Sequence, residues 1–158
     1  MMKSDPAVVA VRRTLTEEQR ALGFQRPLPL TADAIYAYVA MNDWVTFAEL
    51  WNVIGETAWG KGTLAIVSPT DPNILFWVGM TPEVVDTIQG LTSSKRLFYH
   101  STVFLTYLID GRCLQIPTLK RVPKQPLKSE RWLPVCLRAV PIAEKRRKRA
   151  VVATAAGE

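Results

Sequence analysis

The stretch Met80–Arg121, MTPEVVDTIQGLTSSKRLFYHSTVFLTYLIDGRCLQIPTLKR, carries the densest local structural signals in the chain. Thr81 is placed to cap a helix. Pro82 follows at the first helical position, where a missing N–H costs nothing, and Glu83 lies near the positive end of the dipole. Val84, Val85, Ile88 and Leu91 then share one side, and the helix ends at Gly90 or near Ser93-Ser94. Arg96 to His100 reads as a short strand. Asp110-Gly111 fits a two-residue type I′ turn flanked by apolar runs, so 103–109 and 112–118 are expected to pair as a β-hairpin.

Upstream, Thr31 caps a helix running to Asn42, with Ile35, Tyr38, Val39 and Asn42 at helical spacing. Trp44-Val45 is a short strand. Thr46-Phe47-Ala48-Glu49 has the form of a capping box. It opens a helix whose Phe47, Leu50, Trp51 and Ile54 fall at i, i+3, i+4 and i+7, before Gly55 stops it. The β-rich runs 63–67 and 74–78, separated by a loop of turn formers, read as paired antiparallel strands. The inward residues of these two helices are expected to form one core with those strands.

The flanks are less regular. Val8 to Val11 reads as an edge strand, and Thr16-Glu17-Glu18-Gln19 as a second capping box whose helix Gly23 ends. Arg26-Pro27-Leu28-Pro29 is extended, because a residue before proline is pushed out of the α region. After the basic connector 120–130, Arg131 to Val140 returns to strand character, with Pro134 confining it to an edge or a bulge. The expected organisation is an N-terminal arm (1–30), a single α+β domain of short helices packed on antiparallel strands and hairpins (31–140), and a basic tail (141–158) without apolar period. The order of parts resembles that of a winged helix. Against it, residues 56–80 separate the second and third helices, where a helix-turn-helix has about 3–4 residues. The third helix also exposes Glu83 and Asp86, which suits a DNA groove poorly.

Charge is the main functional signal. Residues 1–30 carry a net +2, residues 31–94 a net −6 and residues 95–158 a net +10, which together return the chain's +6. A polyanion is attracted to the C-terminal half and repelled from the middle. No run approaches the ~18 apolar residues of a membrane span, and the N-terminus lacks a signal-peptide apolar region, so a cytoplasmic location is expected. Cys113 and Cys136 sit in apolar runs without histidine neighbours and read as buried thiols.

Gly55 to Lys61 matches the first seven positions of a G-x-x-x-x-G-K phosphate loop. However, Gly62 stands where a hydroxyl is needed, and the loop lies between a helix and a strand instead of the reverse. It reads as a turn. His100, the only histidine, projects to the strand face opposite Ser101, away from the nearest hydroxyl. With no nucleophile motif and no metal cluster, the chain reads as non-enzymatic and cofactor-free. The expected function is nucleic-acid binding, more specifically DNA binding, in a regulatory or accessory role. The phosphate contacts are assigned to Lys95, Arg96, Arg112, Lys120, Arg121, Lys124, Lys128 and Arg131, with Arg138 beside them and the tail run Lys145, Arg146, Arg147, Lys148 and Arg149. Tyr99, Phe104, Tyr107 and Trp132 lie among these charges and read as core in preference to base-stacking residues. The alternative is a protein-interaction adaptor or assembly subunit using the acidic half, 31–94.

Overall fold

In the computed structural model, residues 5–142 are described. Thr31, Thr46 and Thr81 each accept a backbone N–H three residues on, and so start the three central helices α3 (Ala32–Asn42), α4 (Phe47–Ile54) and α6 (Pro82–Ser93). Between α3 and α4 runs β1 (Val45–Thr46), which pairs with β6 (Val135–Arg138). Strand β6 in turn pairs with β4 (Phe98–Ser101), giving an antiparallel sheet of order β1-β6-β4. A second sheet has the order β2-β3-β5, from β2 (Leu64–Ser68), β3 (Asp71–Met80) and β5 (Arg131–Trp132); β3 and β5 run parallel. The class is α+β.

The core joins both sheets. Phe47, Leu50, Ile54, Val84, Ile88 and Leu91 are essentially inaccessible, as the helical spacing requires. Trp77 stacks on Tyr107 at 5.2 Å, and Tyr107 meets Trp132 edge-on at 4.9 Å. Their polar ends are satisfied: the Tyr107 hydroxyl donates to the Val135 carbonyl at 2.6 Å and Trp132 Nε1 to the Phe76 carbonyl at 3.1 Å. Trp51 departs from the expected core set, because it is only half-buried.

The expected hairpin is not formed. Phe104–Asp110 is a helix, α7, and Gly111 (φ +90°, ψ 7°) is its left-handed C-cap. A type I′ turn needs positive φ at both Asp110 and Gly111, whereas a helix end needs it only at the glycine. The helix also brings Asp110 onto α4, where its carboxylate accepts from the Thr46 hydroxyl and its carbonyl from Asn52 Nδ2. Segment 112–118 is consequently irregular, apart from a single bridge between Thr118 and Trp132. Pro134 does not confine its strand to an edge. It separates β5 from β6, and β6 is the central strand of its sheet.

At the N-terminus, residues 8–11 belong to a helix, α1 (Pro6–Thr14), started by Asp5 and Pro6. The predicted capping box opens α2 (Glu17–Phe24). Gly23 lies inside α2, and a Cβ there would come within 2.9 Å of Met41 Sδ, so the glycine serves close helix packing. Thr46 caps α4, but Glu49 does not complete the box; its carboxylate accepts instead from the Tyr38 hydroxyl at 2.6 Å. Among the described residues, no helix is long and apolar enough to cross a membrane.

Candidate functional site

The chain leaves β4, forms α7, and then travels through 112–131 before re-entering the sheets at β5. This excursion is anchored at both sides of its middle. Leu119 N–H donates to the Trp132 carbonyl and Trp132 N–H to the Pro117 carbonyl, at 2.7 and 2.9 Å. Farther on, Leu127 N–H donates to Asp71 Oδ2 and Asn73 Nδ2 donates to the Leu127 carbonyl, at 2.9 and 2.8 Å. Leu114, Ile116, Leu119 and Leu127 lie against the core. An irregular segment is thereby held on β3 with its charged side chains turned out.

Those charges are Arg112, Lys120, Arg121, Lys124, Lys128 and Arg131, against one acidic residue, Glu130. Lys120, Arg121, Lys124 and Lys128 are exposed, and among the described residues none of the six forms an ion pair. Arg131 is half-buried, its guanidinium donating to Ser129 Oγ and to the Glu130 carbonyl. The structure sets the other candidates apart. Arg96 pairs with Asp33 at 3.2 Å and lies over the Tyr36 ring, and Lys95 stands exposed just past the end of α6. Arg138 is buried in a bidentate pair with Asp43, both contacts at 2.8 Å, with Asp5 at 3.4 Å, and has no free face for phosphate. Lys145, Arg146, Arg147, Lys148 and Arg149 lie outside the described residues. Tyr107 and Trp132 are core, while Phe104 packs edge-on against Trp132 and stays partly exposed.

Reading the sequence alone missed a cavity of about 410 Å³ beside the start of the excursion. Trp51, Trp59 and Trp77 contribute to its walls, together with Glu56, Lys61 and Arg112. The Arg112 guanidinium lies 3.5 Å over the Trp51 ring, which keeps that cation at the cavity's edge. It arrives there because the α7 C-cap turns the chain back toward α4. On the other side, Gly62 packs against β3 so closely that a Cβ would sit 2.1 Å from the Met80 carbonyl oxygen. The glycine-rich run 55–62 was the available signal, and it marks the cavity wall.

Other titratable groups lie buried or half-buried in the fold. Burial pushes the Cys136 thiol up to about 12, so it is not a thiolate at neutral pH. Burial raises Glu49 above the usual carboxylate range, and Tyr38, its hydrogen-bond donor, rises well above the phenol range for the same reason. His100 is held below its ordinary value by burial, with Nε2 2.7 Å from the Val140 carbonyl oxygen. Among the described residues, no three His, Cys, Asp or Glu side chains converge in a way that could hold a metal ion. The chain matches no family model, and no curated protein or solved structure matches it at a significant level.

Proposed function

We propose that this protein binds nucleic acid in the cytoplasm as a non-enzymatic regulatory or accessory factor, with the excursion 112–131 as the phosphate-contacting surface. The observation that carries this reading is the set of exposed, unpaired cations on a segment tied to β3. Held charges release condensed counterions on binding without first having to break internal ion pairs. Topology lends support at the level of analogy. α3, β1, α4, α6, β4 and β6, with sheet order β1-β6-β4, follow the plan of a winged helix carrying inserted segments, and the excursion occupies the position of the wing. The third helix does not serve as a reader: α6 presents Asp86 and Gln89 to a cleft shared with Ile66 and Val67 of β2. The tail run 145–149 adds charge to the same function.

The test is a titration of labelled single-stranded and duplex oligonucleotides at several salt concentrations. Replacing Lys120, Arg121 and Lys124 together by alanine is expected to reduce the slope of log affinity against log salt by roughly 2–3, at about 0.7–0.9 per phosphate contact. Absence of binding at low salt by the full chain refutes the reading.

A second reading, assembly, is favoured by α7. Val103, Phe104, Leu105, Leu108 and Ile109 are all exposed, Ile109 to 78%. Residues 102–109 carry no charge, so two copies of this face would meet without like-charge repulsion, and a second copy of this chain is the occupant proposed. Sedimentation of the wild type and of Leu105→Lys/Ile109→Lys decides it: a dimer that the double variant dissociates supports assembly, and a monomeric wild type at micromolar concentration removes it.

A further inference from the structure

We infer that the cavity between α4, β3 and Arg112 takes one nucleotide unit of a single-stranded nucleic acid, the base against the Arg112–Trp51 stack and its phosphate against Lys61. The inference rests on the proposed function and specifies the form of nucleic acid that the surface binds. Three observations converge on it. The cavity, at about 410 Å³, falls in the ordinary range for small-molecule sites, about 300–1,000 Å³. Its walls combine aromatic surface with two cations, and aromatic rings and arginine planes are the platforms on which unpaired bases stack. Finally, the guanidinium is already fixed on an indole face, so its plane need not be ordered when a base arrives.

The chemistry of the wall narrows the ligand. Lys61 is exposed, and among the described residues it has no ion-pair partner, so it is available to a phosphate. Glu56 repels phosphate from its own side and offers an acceptor to an exocyclic amine of the base. A base paired in a duplex cannot enter without leaving its stack, which costs free energy that a single strand does not have to supply. From the cavity wall at Gly79 to Asn73, which holds the excursion at Leu127, β3 spans roughly 20 Å at about 3.3 Å per residue. Lys120, Arg121 and Lys124 then lie along the excursion to receive the following phosphates.

The arginine-lined cavity at α1–α3 is a poorer candidate. Arg12 Nε donates to the Ala40 carbonyl, Arg20 to the Arg12 carbonyl and Arg26 to the Gly23 carbonyl, so those guanidinium groups are committed to helix ends.

The experiment uses the full chain and two probes, the ten-residue oligonucleotide (dC)10 and a ten-base-pair duplex, titrated by anisotropy at low salt. The variants are Arg112→Gln and Lys61→Gln. Both side chains are exposed, and unchanged melting curves confirm intact folding. Wild type is expected to prefer the single strand. Arg112→Gln should weaken (dC)10 binding by about 5- to 150-fold, the range for loss of one stacked base, and should weaken duplex binding less, by the loss of one salt-sensitive phosphate contact only. Lys61→Gln should weaken (dC)10 less and flatten its salt dependence by about one contact. If both variants bind (dC)10 as wild type does, the inference is overturned while nucleic-acid binding by the excursion stands. If neither oligonucleotide binds wild type, both fall.

Discussion

The helical middle of the chain and the excursion 112–131 treat charge in opposite ways. In 31–94, whose net charge is −6, Asp33 pairs with Arg96, Asp43 with Arg138, Glu49 accepts from Tyr38, and Asp71 accepts from two backbone N–H groups. Four of the seven carboxylates of this half are thus engaged within the protein, Asp33 in a surface pair. In 112–131, six cations face one carboxylate and none is paired among the described residues. Linear charge density is therefore a poor guide to surface charge until the pairing is known. Among the described residues, Glu56, Glu83 and Asp86 stay exposed in the acidic half, as Lys120, Arg121, Lys124 and Lys128 do in the excursion.

The contrast can be broken first by its largest expected effect. Asp43→Asn removes the bidentate partner of a guanidinium that is only 9% exposed. Leaving a buried charge uncompensated costs about 3 kcal/mol, at the lower end of the range for buried pairs because Asp5 remains nearby. Asparagine is nearly isosteric with aspartate and meets the same backbone geometry at this position (φ +57°, ψ 156°), so the difference between the two is mainly electrostatic. Urea unfolding measures it. Lys124→Ala in the excursion is the control and should stay within about 0.5 kcal/mol of wild type. If the two variants lose similar stability, the division into paired and unpaired regions is wrong.

The helices were legible wherever the chain announces both an end and a period. Thr31, Thr46 and Thr81 cap α3, α4 and α6 as their positions demand, and the inward residues of α4 and α6 are buried with the exception of Trp51. The antiparallel pairing of β2 with β3 was readable from two β-branched runs around turn formers. Legibility failed where one local signal serves two structures. A positive-φ glycine ends a helix as readily as it closes a hairpin, and the apolar run 103–109 fits either, so only the tertiary seat of Tyr107 decides. Pairings across long separations were invisible for a different reason. Nothing local to Arg138 reveals Asp43, and nothing local to Trp51 reveals Arg112. The candidate site divides in the same way: the exposed lysines of the excursion were named from sequence, but the cavity needed three tryptophans brought together by α4, α5 (Glu56–Trp59) and β3.

The smallest effect concerns His100, and it sharpens the comparison from the side of the buried groups. The imidazole sits on β4 with Nε2–H donating to the Val140 carbonyl at 2.7 Å, its ring against the Trp44 ring, and Arg138 and Asp43 nearby. Burial is the largest influence and lowers its pKa from the ordinary value of 6.5. A cationic group with a lowered folded pKa is protonated first in the unfolded chain, so the unfolded state binds more protons and stability rises with pH. Read downward, stability is lost as pH falls through 6.5 and continues to fall until the folded pKa is reached. Glu49 acts with the opposite sign. Its raised pKa means the folded state holds the proton longer, so that contribution declines as pH rises through its ordinary value of 4.5. The two overlap below pH 6.5, and a wild-type profile alone does not separate them. His100→Gln does, because the glutamine amide can still donate to Val140 but does not titrate, and no other histidine exists in the chain. Unfolding free energies at intervals from pH 8 to pH 5 should show wild type declining relative to the variant below pH 6.5. Parallel profiles across that range would mean that the histidine titrates alike in both states, and that its burial has no electrostatic consequence.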